Sequence, residues 1–215
     1  MKKCFVLYVF SLIFIMSCKT LMAEKPIIQG MIYNNENEPV SDASIIINGK
    51  AIAVSDIYGH FSIDKLKINQ SYSLVAKKKG YEDSTIDFKL LNASQVIYLR
   101  MYSAGELLSA AEENIALKKY SEAEKYLIRA ENTGASVLNI YYLRSIILFK
   151  EKNYEMALKT ALDILKKGYN EPYVYILIAD IYEKGLNDWE NAKIYLQKSL
   201  NISYNPEIKD RLSEK

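Results

Sequence analysis

Three short tetrads in the C-terminal half of this 215-residue chain share one form, an aromatic residue followed three positions later by alanine. They are Tyr120–Ala123, Tyr154–Ala157 and Trp189–Ala192, and their alanines lie 34 and 35 residues apart. A chain that repeats itself at this interval is built from supersecondary units too small to bury their own apolar faces, so neighbouring units must stack. Around each tetrad the apolar residues keep helical spacing: Leu127 and Ala130, then Ala161 and Ile164, then Leu196 with Ser199. The three alanines fall where two helices of one unit have to approach closely. Ala111 and Ser145 supply a second small site, and the third unit carries one extra residue near Gly185-Leu186-Asn187. Start signals agree with this reading. Ser103 with Glu106 and Ser121 with Glu124 fit capping boxes, Asn153 and Asp188 stand where helices should begin, and Asn205-Pro206 offers an N-cap followed by proline at the first helical position.

The repeat resembles the tetratricopeptide (TPR) family, and the resemblance implies an all-α solenoid of about three repeats, 104–137, 138–171 and 172–205 within 103–205. The polar segment 206–215, apolar only at Ile208 and Leu212, then serves as a capping helix. In that family the first helix of each pair lines a concave binding groove. The matching positions here are Leu108, Glu112 and Ile115, then Tyr142, Ile146 and Phe149, then Tyr173, Ile176, Asp180 and Glu183. TPR domains that grip a C-terminal carboxylate present Lys and Asn in the groove. Apolar, aromatic and acidic residues stand at those places here, so the expected occupant is an apolar or mildly basic segment of another envelope protein. Self-packing against the capping helix or the preceding unit is the competing expectation.

Before Tyr102 the period is that of strands. Tyr72, Leu74 and Ala76 alternate with Ser71, Ser73 and Val75, and Ile86, Phe88 and Leu90 alternate with Asp87 and Lys89. Turn-forming pairs such as Asn48-Gly49, Tyr58-Gly59 and Lys79-Gly80 separate about seven short runs. These features predict an all-β antiparallel sandwich over 26–102. Gly30-Met31-Ile32, Pro39-Val40, Ala43-Ser44-Ile45, Asp56 with Gly59-His60-Phe61-Ser62-Ile63, Tyr72-Ser73-Leu74 and Gly80-Tyr81 resemble the carboxypeptidase regulatory-like, transthyretin-related domain, which implies a prealbumin-like sandwich. Gly59 is expected to permit the turn that aims Phe61 and Ile63 inward, and Gly80 to take a positive φ before Tyr81. The whole chain therefore reads as a two-domain protein with little linker between its halves.

The N-terminus reads as an export signal: Lys2 and Lys3, then an apolar run from Cys4 to Met16 that is too short to span a bilayer. Ile15-Met16-Ser17-Cys18 resembles a bacterial lipobox, which implies a signal peptide of 1–17, lipidation of Cys18 and a tether over 18–25. Cleavage after Ala23 is the alternative. Such a chain is expected to be exported to the cell envelope as a membrane-anchored lipoprotein, on the periplasmic or surface side. Setting aside Lys2 and Lys3, the remaining basic and acidic residues balance, leaving no electrostatic footprint for nucleic acid. The run Lys77-Lys78-Lys79 reads as a solvated strand end rather than a polybasic patch. His60 is the sole histidine, and neither a Gly-rich phosphate loop nor a thiol nucleophile beyond the signal region is present. No enzyme, metal or cofactor is expected. A second function of another class gives the sandwich the binding role, with Tyr33, Tyr58 or Tyr81 stacking on glycan or peptidoglycan and the helices acting as a spacer.

Overall fold

The computed structural model describes residues 26–213, and Cys18, the signal segment and the tether lie outside them. Seven strands come first: β1 (Ile28–Tyr33), β2 (Ser44–Ile47), β3 (Lys50–Val54), β4 (His60–Ile63), β5 (Ser71–Lys77), β6 (Ser84–Lys89) and β7 (Val96–Arg100). Seven helices follow: α1 (Ala104–Ala116), α2 (Tyr120–Asn132), α3 (Val137–Lys150), α4 (Tyr154–Lys166), α5 (Pro172–Asp180), α6 (Trp189–Ile202) and α7 (Pro206–Ser213).

The strands form two sheets, ordered β4-β1-β7 and β3-β2-β5-β6. Period-two alternation gives each an apolar face. Ile28, Ile32, Phe61, Ile63, Ile97 and Leu99 from the first sheet meet Ile45, Ile47, Leu74 and Ala76 from the second in one buried core. The four-stranded sheet is antiparallel throughout, as the pattern of turns predicts. The three-stranded sheet departs from that expectation, because β7 pairs with β1 in parallel, Gln29 beside Val96 through Tyr33 beside Arg100. The physical reason is the connection. β6 belongs to the other sheet, so the segment after it crosses between sheets instead of turning back as a hairpin, and β7 arrives running with β1. The parallel pairing has a geometric result: the chain enters the β unit at one end and leaves it at the other.

Gly59 has φ +75°, and a Cβ there would lie 2.4 Å from the Ile32 carbonyl oxygen, so the turn into β4 admits only glycine. Asp56 completes that turn, its Oδ1 accepting from the backbone N–H of Tyr58 and of His60. Gly80 has φ +81°.

The helices pack first with their sequence neighbours, α1 with α2, α3 with α4 and α5 with α6, and successive pairs stack. Ala111, Ala123, Ser145, Ala157, Ala179 and Ala192 are all buried where paired helices touch. Buried Ser145 is satisfied by donating to the Ala157 carbonyl at 2.8 Å. The repeat is also written into the backbone. Lys118, Lys152 and Asn187 hold φ of 59°, 64° and 54° at the turn between the helices of each pair.

The thirty-fifth residue of the third repeat sits inside a helix rather than in the loop. Ile181–Gly185 forms a π-helical turn continuing α5, closed by the Leu186 N–H on the Ile181 carbonyl at 3.0 Å. The 34-residue register holds up to Ala179 and becomes 35 by Asn187, so the turn takes up the whole offset. Caps agree in part. Ser103 and Glu106 make the reciprocal capping box, Asp188 accepts from the Asn191 N–H, and Asn205 accepts from the Glu207 N–H. The Ser121–Glu124 box does not form, since α2 begins two residues earlier, after Lys119, and Asn153 precedes α4 without a side-chain bond.

Candidate functional site: the first-helix face of the stacked repeats

α1, α3 and α5 are the first helices of the three pairs, and the sequence-selected residues divide into two groups on them. Tyr142 of α3 and Tyr173 of α5 make an edge-to-face pair, with centroids 5.0 Å apart and planes at 83°. Tyr142 is half-buried, and burial raises its pKa above the usual tyrosine value. Tyr173, Asp180 and Glu112 push it the same way, so the α3 ring feels carboxylates from both α1 and α5. Four of the predicted residues, from three different helices, are thus brought together. Glu112 and Tyr173 are exposed there.

The other predicted residues are more deeply committed to packing. Leu108 and Ile115 lie against the core shared by α1, α2 and α3. Ile146 packs against that core and the next one, bridging two repeats. Phe149 lies 5.7 Å from the Tyr154 ring of α4, inside its own repeat. Ile176 packs toward the last core with α6 and α7. Five of the ten groove positions therefore hold the stack together rather than line a free surface.

Asp180 and Glu183 form the acidic side, and α7 covers them. Arg211 reaches back to Asp180 Oδ1 at 2.7 Å and donates through Nε to Glu183 Oε2 at 3.0 Å, with Nη2 also on Glu183. Lys184 adds a second cation on Asp180 at 3.1 Å. Sequence reasoning missed Arg211 because it lies 28 residues from Glu183, and no helix period connects them.

A second polar constellation joins the two units. Glu82, after β5, takes two hydrogen bonds from Arg129 of α2. The guanidinium also lies 5.1 Å from the ring centres of both Tyr102 and Tyr126, and its pKa is raised mainly by the Glu82 bond. Nearby, Glu106 Oε1 accepts from the Asn35 N–H at 2.8 Å, the Ala104 N–H reaches the Gly80 carbonyl at 3.0 Å, and Tyr81 bridges Ser103. Tyr102 packs into the first helical core. The halves meet through a set of directed bonds instead of a flexible linker.

The aromatic residues of the β unit separate. Tyr81 is half-buried against the core, with Lys78 over its ring at 5.0 Å. Tyr33 and Met31 face outward on β1, where the Tyr33 hydroxyl donates to Met31 Sδ at 3.3 Å. Tyr98, Met31 and His60 share one row across β7, β1 and β4, and exposed Tyr58 lies 6.2 Å from the His60 ring. Tyr98 was not singled out in the sequence, although its place between inward Ile97 and Leu99 marks it as outward-facing. Among the described residues no group of three or more His, Cys, Asp or Glu could hold a metal ion, and no helix is long and apolar enough to cross a membrane.

No family model matches the sequence, and no curated protein matches it. Among solved structures, the chain is similar to the N-terminal domain of stress-induced protein-1 (STI-1) from C. elegans, at 14% identity and a TM-score of 0.43 over 52% of this chain and 92% of that one. It is similar also to MamA 41-end from Desulfovibrio magneticus RS-1, at 17% identity and a TM-score of 0.43, over 51% of this chain and 62% of that one. Both contain TPR repeats. The C-terminal domain of the PapC usher shows 11% identity and a TM-score of 0.28, over 35% of this chain and 98% of that one. The TPR-like character of the helical unit rests on its own spacing and its stacked antiparallel pairs.

Proposed function

We propose that this chain is a non-catalytic, membrane-tethered scaffold of the cell envelope whose helical unit binds a segment of another protein on its first-helix face. The observation that carries the reading is the Tyr142–Tyr173 pair with Glu112 and Asp180 beside it. An aromatic anchor in the field of two carboxylates suits an apolar segment with a basic flank. Because Asp180 is already engaged by Arg211 and Lys184, the recognition patch is centred on Glu112, Tyr142 and Tyr173. The β unit, read as a carboxypeptidase regulatory-like sandwich, is the accessory module nearer the membrane, with the chain exported and lipidated at Cys18. The test is partner capture from intact cells by crosslinking, comparing wild type with Glu112→Lys plus Tyr173→Ala. These side chains are exposed, so the variant keeps its fold. Loss of captured partners supports the reading, and unchanged capture defeats it. Metabolic lipid labelling of wild type and Cys18→Ala tests the anchor separately.

A second reading gives the β unit a glycan-binding role, favoured by the outward row of Tyr98, Met31 and His60 with Tyr58 at its edge. Retention on insoluble peptidoglycan that is lost in Tyr58→Ala plus Tyr98→Ala would support it, and no retention would end it.

A further inference from the structure

The two ends of the β unit differ in character. At the end where the chain enters, four separate segments converge: Ile27 before β1, the β2–β3 hairpin at Asn48-Gly49, the β4–β5 connection and the β6–β7 connection. The convergence is fixed by pairing. Ile28 sits beside Ile63 and Gln29 beside Val96, while the Asn69 N–H bonds the Leu90 carbonyl at 2.7 Å. Asn48, Lys50 and Ile52 line one surface recess with Asp64, Lys65 and Leu66.

This end exposes large apolar side chains that no packing requirement explains: Ile27 at 58%, Ile68 at 45% and Leu91 at 60% of their full surface. Around them stand exposed Lys50, Lys65, Lys67 and Lys89; the nearby acids are Asp64, paired with Lys65 at 3.4 Å, and Asp87, two residues before Lys89 on β6. The opposite end carries Glu36, Glu38, Asp42, Asp56, Glu82 and Asp83 in its loops, which outweigh Lys78 and Lys79 there, and the helical unit leaves from that end. No run of lysines marks the basic end in the sequence, because folding gathers it from positions spread between Lys50 and Lys89.

We propose that the chain-entry end of the β unit rests on an anionic phospholipid surface, with Ile27, Ile68 and Leu91 entering the headgroup layer and Lys50, Lys65 and Lys67 pairing with lipid phosphates. Three features select this occupant. Cationic side chains interleaved with apolar ones match an interface that is anionic outside and apolar beneath. The segment before Pro26, with Cys18 in it, joins the β unit at this end. Seven residues lie between Cys18 and Pro26, so a lipid on Cys18 would keep this face within about 28 Å of the bilayer even with the chain fully extended. The inference deepens the tethered reading: parallel β1 and β7 then direct the helical unit away from the membrane.

The test is vesicle co-sedimentation of the chain from Lys19 onward, which keeps both folded units whole and carries no lipid. Vesicles of phosphatidylglycerol with phosphatidylethanolamine are compared with vesicles of phosphatidylcholine alone. Binding is expected to the anionic vesicles only, and to fall at least about tenfold for Lys65→Glu plus Lys67→Glu. A comparable fall is expected for Ile68→Ser plus Leu91→Ser, while Lys78→Glu plus Lys79→Glu at the opposite end changes nothing. No binding to anionic vesicles, equal binding to phosphatidylcholine, or an equal loss in the control pair overturns the proposal. Circular dichroism of each variant guards against loss of fold. Because the probe lacks the lipid, these outcomes are independent of Cys18 modification, which metabolic labelling reads alone.

Discussion

Arg129 holds Glu82 with both arms of its guanidinium, Nε to Oε1 at 3.0 Å and Nη2 to Oε2 at 2.7 Å, across 47 residues of sequence. The bond ties the β5–β6 connection to the second helix, and the rings of Tyr102 and Tyr126, each 5.1 Å from the guanidinium, help hold it in place. Both charged groups are about one-third exposed, so solvent screens the pair, and removing it by Arg129→Ala should cost about 1 kcal/mol. The sharper readout is motion. 15N relaxation should report one tumbling time for both units in wild type and separate times in the variant, and a single time in both would show that the remaining bonds suffice.

Arg211→Ala should release α7. Arg211, Asp180 and Glu183 are each mostly buried, so truncation leaves two carboxylates without their shared cation, at a cost of about 2 kcal/mol. Amide exchange over 206–213 should accelerate before the rest of the helical unit does. Protection in that segment equal to wild type would mean that Ile208 and Leu212 alone seat the helix.

Gly30 faces the ring of Phe61 across the β1–β4 pair, and a Cβ at Gly30 would lie 2.0 Å from the ring's Cζ. Gly30→Ala must displace a fully packed aromatic and should destabilise by about 3 kcal/mol in chemical denaturation. Gly30→Ala combined with Phe61→Leu should recover part of that loss.

Lys118 and Lys152 occupy left-handed backbone that glycine adopts without strain. Lys152→Gly should therefore stabilise by about 0.5 kcal/mol, the relief of strain exceeding the extra freedom glycine gives the unfolded chain. A lower denaturation midpoint would refute this.

Burial first, then Tyr173, Asp180 and Glu112, raise the Tyr142 pKa above that of the unfolded chain. The unfolded state then loses its proton first, so the stability this tyrosine contributes is present below about pH 10 and is lost as pH climbs through the folded pKa. Tyr142→Phe should flatten the alkaline arm of the stability profile, and the missing late step in a 295 nm titration identifies the residue.

How much of this was legible follows from the range of each interaction. Ser103 with Glu106 and Asp188 with Asn191 were readable because a cap is settled within four residues. Leu74 and Ala76 turn inward as their alternation requires. Tyr142, Tyr173, Glu112 and Asp180 were placed together because the repeat length fixes how helices stack. For Ile146 and Phe149 the sequence leaves groove lining and self-packing as alternatives, because the repeat supplies their position and not how deeply the next helix covers them. The parallel β1–β7 pair, Arg129 with Glu82 and Arg211 with Glu183 depend on contacts 28 or more residues apart that no local pattern records.

The π turn at Ile181–Gly185 has a consequence for how such an array can vary in length. An added residue in an ordinary helix would swing everything beyond it by about 100°, scattering Trp189 and Ala192 away from their seats. Here the surplus is confined to one widened turn, with Gly185 so close to the Tyr154 ring that a Cβ there would approach it to 2.6 Å. The turn works as an expansion joint: losing Lys184 would close it to an α-turn and restore the 34-residue interval with both flanks unmoved, whereas the same deletion within α3 would put the repeats out of step.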